Sequence, residues 1–348
     1  MTVLEQFTPG HKLGSSHGSA RIARRAYGDL LYARLSGRAF DLWRELEVDA
    51  DVSVLRMLGG LDFGSRRDAS VIAALLAEVG AEHEVLDAAE AQRRWPGMRF
   101  AGSVVYHPQA GTLDADAATA AFLSAAVRRG ARVSHDTAVV SIRPASAAVD
   151  VALADGSRLS AAVVVVAAGA WVAPLLDGLV ELPQLRVTQQ QVFHFPRLDP
   201  SAPPWPSVIH DDGHGVYHLA GGRDGGVADD RKIGEHDRGT LTTADGRDGV
   251  VDPRSRSRVI EYAQRWLPGL DATPRSSTTC LYTTTPSEEF ILDRVGRVIV
   301  CSPCSGHGAK FAPLIGELAT DLVTGEAEVP ERFRLRTHRL GSRGRVSL

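Results

Sequence analysis

Between Gly296 and Pro313 the chain passes from a turn-bounded apolar run, Val298-Ile299-Val300-Cys301, into Ser305-Gly306-His307-Gly308 and then, through Lys310, into a helix-like stretch. A strand that ends in a glycine-rich turn and opens a helix is an α/β signature. Free N–H groups and the positive end of the helix dipole collect at such a turn, which makes it a seat for an anion or a cofactor. An ordinary strand-to-helix connection is written in the same residues. A second run, Ala162 to Ala168 (AVVVVAA), is continuously apolar and predicts a strand buried on both faces of a parallel sheet. It leads into Gly169-Ala170-Trp171. From Leu182 the texture changes. Leu185 to Phe195 reads as strand, and Ile209 to Ile233 holds short strands among many Gly and Asp, as in an antiparallel sheet walling a pocket.

At 348 residues there is room for two domains, and 44% hydrophobic residues is ordinary for a globular protein. A net charge of -3 gives no electrostatic case for nucleic acid or anionic membrane as a partner. The cysteines are Cys280, Cys301 and Cys304, too few for a disulfide framework. Cys301 and Cys304 have CxxC spacing, but without a second pair they read as core or turn residues, and no metal is expected. No apolar run is long enough to span a membrane, and MTVLEQFTPGHK lacks a signal-peptide core, so the expectation is a cytoplasmic protein.

Apolar periodicity predicts helices over Asp29–Glu47, Asp68–Val79, Ala88–Arg94, Asp114–Arg129 (with Asp114 as N-cap), Pro253–Trp266 and Pro313–Leu322. Val52 to Phe63 reads as a strand pair broken at Gly59-Gly60, and Asp155-Gly156 as a hairpin turn. Residues from Arg334 onward read as a disordered tail.

Cys280-Leu281-Tyr282-Thr283, then Glu288 to Arg294 (EEFILDR), then the apolar strand, then Ser305 to Phe311 (SGHGAKF), resemble the C-terminal signature of the monomeric sarcosine oxidase and N-methyltryptophan oxidase flavoproteins. These belong to the wider D-amino-acid-oxidase-like superfamily. Ser15 to Gly28 (SSHGSARIARRAYG) resembles the flavin-facing segment of the same family, and the motifs keep the family's order along nearly the whole chain.

The resemblance implies an α/β fold: an FAD-binding, Rossmann-like parallel sheet with an interleaved antiparallel substrate domain. Residues 1–56, 113–182 and 285–330 would form the cofactor domain, 57–112 and 183–284 the substrate domain, and 331–348 a tail. It also implies FAD-dependent oxidation of a secondary amine on an amino acid, with oxygen as acceptor, by a monomer. Cys280 would bond covalently to the flavin. Glu5 would take the ribose and Val139 would lie against adenine. His17, Arg21, Gly169, Gly306, Gly308 and Lys310 would surround the cofactor. Arg24 and Lys310 would hold the substrate carboxylate, Tyr282 would bound the cleft, and Lys232, with His236 nearby, would serve oxygen.

A dinucleotide-binding unit also has a first strand, a G-x-G-x-x-G loop and a helix ahead of the strand that ends near Glu5, roughly 30 residues. Those residues are expected before Thr2, and this first βα unit is missing from the sequence as given. Three activities stay open at this point: the N-methyl amino acid oxidase, a pipecolate or fructosyl-amino-acid type of the same superfamily, and a non-catalytic remnant unable to hold FAD.

Overall fold

The helices begin where short polar side chains satisfy the first free amides. In the computed structural model, which describes residues 1–226 and 229–339, Asp29 accepts from the Tyr32 amide at 3.3 Å and opens the helix Leu30–Ala50. Its buried stripe, Tyr32, Ala33, Ser36, Ala39, Trp43 and Leu46, recurs every three or four residues and faces the core. Asp68, Asp87, Asp114 and Asp252 cap the helices Ala69–Glu78, Ala88–Arg94, Ala115–Arg128 and Pro253–Trp266 in the same way. Pro253 stands at the first turn, where its missing N–H costs nothing.

Parallel pairing is confined to short strands. Thr2–Leu4 runs parallel to Arg132–Ser134, and Val164–Val166 runs parallel to Val298–Val300. Ile291–Val295 closes the other edge of Val298–Ser302 as an antiparallel hairpin. The valine run is shorter and wetter than expected. Only Val164–Val166 is strand, it pairs along one edge, and Val165 is 41% exposed. Its neighbour Val298–Ser302, paired on both edges, is buried along its whole length.

The largest sheet has nine strands, drawn from residues 60–107 and 186–284. Its spine is Arg186–Phe195, which pairs with Ser276–Thr284 on one edge and with Arg231–Glu235 and Thr240–Leu241 on the other. Phe193, Phe195 and Ile233 pack there against Val259 and Ala263 of the helix Pro253–Trp266. The expected strand pair over 52–63 is two strands that do not pair with each other. Leu55–Met57 joins Ala110–Leu113, whereas Gly60–Phe63 joins Ser207–Asp211 and Val104–His107 in the large sheet.

The expected tail is structured as far as it is described. Arg332 binds Asp29 at 2.7 Å and also pairs with Glu289. Phe333 is fully buried among Tyr32, Phe290 and Phe311, and Leu335 is buried in a neighbouring cluster. Burying an aromatic side chain contributes about 1.5–3 kcal/mol, enough to hold a polar-looking segment down. Residues 340–348 of the expected tail lie outside the described residues. Among the described residues no helix is long and apolar enough to cross a membrane.

Candidate active site

Arg21 and Arg24 share the strand Arg21–Arg24, which pairs antiparallel with Ala110–Leu113. Side chains three apart on a strand leave from opposite faces, so the two guanidinium groups serve different neighbourhoods. Arg24 is buried. It donates to Ala26 O, lies 4.4 Å from the centroid of the Tyr27 ring, and sits 3.6 Å from Asp62. Burial, with Arg67 nearby, brings its pKa down to about 10.

Lys310 approaches the same ring from the other side of the chain. Its ammonium donates to the Tyr27 hydroxyl at 3.0 Å and to His307 O at 2.8 Å. Burial, then Arg24, pushes its pKa well below the ordinary lysine value. Among the described residues Lys310 has no carboxylate within ion-pair distance. Asp62 accepts from Arg67 at 2.6 and 2.8 Å and meets His107 Nε2 at 3.3 Å. Burial acts to raise the Asp62 pKa, but Arg67, His107 and Arg24 together hold it well below the carboxylate range. Two buried guanidinium groups, Arg24 and Arg67, thus share one buried carboxylate, Asp62, and Lys310 meets Arg24 at the Tyr27 side chain. A dry region with that surplus is built for an incoming anion.

Lys310 is placed by two glycines that have no room for a side chain. A Cβ on Gly308 would stand 1.7 Å from Pro303 O, and one on Gly306, at φ +77, would stand 2.3 Å from the Tyr282 ring. Trp43 Nε1 donates to Lys310 O at 2.8 Å and fixes the following backbone.

Around Arg21 lies a second group. Arg21 donates to Ala20 O at 3.0 Å and to His17 O. Lys232, in the strand Arg231–Glu235, is buried and donates to Ala20 O at 3.0 Å. Burial, then Arg21, brings its pKa down to about 7. Cys280, opposite Gln190 in the large sheet, bears electrostatically on Lys232, Tyr217 and Tyr282. Tyr217 and Tyr282 are hydrogen-bonded side chain to side chain. His236 brings its ring to 5.8 Å from that of Tyr282. Ser15 Oγ donates to Leu281 O at 2.6 Å, which ties the opening segment to the cysteine strand. Burial, then Arg21, lowers the His17 pKa to about 3, and its Nε2 is buried without a hydrogen-bond partner among the described residues.

Glu5, Val139 and Gly169 gather farther along. Thr137 N donates to Glu5 O at 2.8 Å, two residues before Val139, which packs at the edge of the cluster holding Val166. Gly169, at φ +53, opens the turn after Val164–Val166, and that turn packs on the cysteine strand. Phe7 and Trp171 meet at 5.4 Å, so the two neighbourhoods touch. The Glu5 carboxylate itself accepts from the Phe7 amide at 2.9 Å.

A buried His17 nitrogen without a hydrogen-bond partner among the described residues, a buried lysine within electrostatic reach of a cysteine, and a glycine turn that excludes side chains are features that fit a bound flavin. Sequence reasoning missed Tyr27 as the shared platform, and Tyr217, Asp62, Arg67 and His107. Tyr27 lies inside the quoted opening segment. Asp62 and Arg67 look like surface charges in Leu-Asp-Phe-Gly-Ser-Arg-Arg-Asp, with no local sign of burial.

A family model described as FAD dependent oxidoreductase matches residues 1–322. The monomeric sarcosine oxidase of Streptomyces avermitilis is 32% identical over 346 residues, covering 94% of this chain and 88% of that protein. The N-methyl-L-tryptophan oxidase of Yersinia pestis is 28% identical, covering 91% and 86%. Among solved structures, L-proline dehydrogenase from P. horikoshii superposes with a TM-score of 0.84 at 20% identity, covering 98% of this chain and 92% of that one. At that identity the structural likeness concerns the fold alone.

Proposed function

Because the chain belongs to the FAD dependent oxidoreductase family, we propose that it oxidises the secondary amine of an N-methyl or related amino acid, with oxygen as acceptor and hydrogen peroxide as product. The observation that carries this reading is the buried Lys310 amine beside Arg24, with Tyr27 touching both and one carboxylate, Asp62, shared between Arg24 and Arg67. A substrate carboxylate completes that charge balance. Arg24 offers a planar fork and Lys310 a point charge, and two charge-assisted contacts fix both position and orientation.

The redox chemistry is what bound FAD would supply: two electrons with one proton from the carbon next to the nitrogen and one from the nitrogen leave the amine as an imine, which water hydrolyses, and oxygen as acceptor takes the two electrons and two protons as hydrogen peroxide. The chain's own residues do the rest. The carboxylate grip aims the amine end of the substrate toward Tyr282 and His236, and the closed core around Tyr27 keeps water from the pair. Lys232 serves the oxygen step with a cation whose charge is poised near neutrality. Cys280 would hold the cofactor by a thioether, with His17, Arg21, Gly306 and Gly308 around the ring and Glu5, Val139 and Gly169 toward the nucleotide. The enzyme acts as a monomer in the cytoplasm.

The test is direct. Purified protein supplied with FAD is assayed for peroxide with sarcosine, N-methyl amino acids, pipecolate and fructosyl amino acids. Turnover of an N-substituted amino acid supports the reading. Protein that takes up no flavin, or that holds flavin and oxidises none of these amines, overturns it.

A further inference from the structure

We propose that the cavity lined by Arg66, Arg186, Arg238, Asp211, Asp237 and His236 receives a second carboxylate of the substrate, so that the preferred amine is an N-substituted amino acid with an additional acidic group. The inference rests on the amine-oxidation reading and adds a substrate class to it. The cavity holds about 410 Å³, room for a small organic acid.

Three arginines line the cavity against two aspartates, and the carboxylate of the adjoining Asp212 is taken by the Ser65 amide at 2.6 Å and by His210 at 3.0 Å. Arg186 is committed to Asp237, and Asp211 accepts from the Gly213 amide at 2.8 Å. Among the described residues neither Arg66 nor Arg238 has a carboxylate within ion-pair distance. Both lie against the same turn. Arg238 donates to His214 Nδ1 at 2.8 Å and to Gly213 O at 3.5 Å. The Arg66 guanidinium lies over Gly213, where a Cβ would meet its Cζ at 3.7 Å. Two guanidinium groups gathered on one glycine turn leave their outward N–H donors for a ligand. A carboxylate accepts such a fork through two parallel bonds.

One residue, His236, relates the cavity to Tyr282, which packs on the glycine turn before Lys310. His236 lines the cavity and also faces the Tyr282 ring at 5.8 Å. His236 and Arg24 both bear electrostatically on His307, the residue whose carbonyl holds Lys310. Arg66 and Arg67 are chain neighbours with opposite assignments. Arg67 turns inward to Asp62 and so to Arg24, and Arg66 turns outward over Gly213. A substrate held at the Arg24–Lys310 pair would turn its second acidic group past His236 toward Arg66 and Arg238.

The experiment has two readouts on the full chain supplied with FAD. The first is the ratio of kcat/KM for N-methyl-aspartate and N-methyl-glutamate to that for N-methyl-alanine and N-methyl-leucine. The second is calorimetric binding of unreactive glutarate against butyrate. Each ratio is expected to favour the dicarboxylate by about tenfold or more, the scale of one charge-assisted contact. The double substitution Arg66→Ala with Arg238→Ala should reduce each ratio about tenfold, and Arg66→Lys should reduce it less. Ratios near one, or ratios that the double substitution leaves unchanged, overturn the proposal. If no amine is oxidised the oxidase reading fails on its own, and the glutarate-to-butyrate ratio still decides this one.

Discussion

Lys310 gives a hydrogen bond to the Tyr27 hydroxyl at 3.0 Å inside a core where both side chains are buried. The ring of that tyrosine also carries Arg24 on its face. Removing the ammonium should therefore cost substrate grip rather than fold. Lys310→Met is expected to lower kcat/KM by roughly tenfold to a hundredfold, since a hydrogen bond to a charged group contributes about 1.5–3 kcal/mol. Tyr27→Phe keeps the ring and loses the acceptor, so a smaller rise in KM is expected. Steady-state peroxide assays with both variants check the order.

Asp62 is the counter-charge for Arg67 and Arg24, and all three are buried. Asp62→Ala leaves two cations uncompensated and should destabilise the fold by about 3–5 kcal/mol. Its pH dependence has a definite sign. The folded state binds the Asp62 proton more weakly than the unfolded chain does. The contribution to stability is thus present above the ordinary aspartate value, about 3.9, and is lost as pH falls below it. The gap between the urea midpoints of the two proteins should be constant from pH 7 to about pH 5 and begin to narrow between about pH 4 and 3, without closing there, because the folded-state value lies lower still.

For Lys232, whose pKa burial and Arg21 bring to about 7, the charged form dominates below that pH and the neutral form above it. If its cation serves oxygen, the second-order rate of reduced enzyme with oxygen falls as pH rises through neutrality. Lys232→Met should show the slow rate at every pH while anaerobic reduction by the amine is retained. Stopped-flow measurement of the two half-reactions separates these.

Cys280 sits in the large sheet opposite Gln190, within electrostatic reach of Lys232. Acid precipitation should leave flavin in the pellet for the parent protein and release it from Cys280→Ser. Visible absorbance of the supernatant reads the outcome.

Gly308→Ala places a methyl group where Pro303 O already stands. The turn must move, at a cost of roughly 1–3 kcal/mol, and Lys310 moves with it. Loss of activity larger than the shift in unfolding midpoint is the expected result.

What the sequence made legible was local. N-cap aspartates and helical periodicity predict the helices Ala69–Glu78, Ala88–Arg94 and Ala115–Arg128 to within a residue or two, because a cap and a stripe act over one turn. The family motifs then bring Arg24 and Lys310 to one tyrosine although 286 positions separate them. Edge effects were not legible. The valine run promised burial on both faces, but with one paired edge Val165 faces solvent. Phe333, alone in a polar segment, has no periodicity to announce that it fills a gap beside Tyr32 and Phe290. Asp62, Arg67 and His107 form a cluster only after strands from distant parts of the chain pair, so nothing near them in sequence distinguishes them from surface charges.

The indole of Trp43, on the core-facing stripe of the helix Leu30–Ala50, holds the carbonyl of Lys310. That helix is therefore part of the machinery without touching any ligand. A slide or tilt along it, driven by nothing more than a changed apolar contact on its inner stripe, would drag the ammonium with it. Adaptation of this chain to a new amine need not begin in the pocket at all, because the adjusting screw is a buried helix contact behind Lys310.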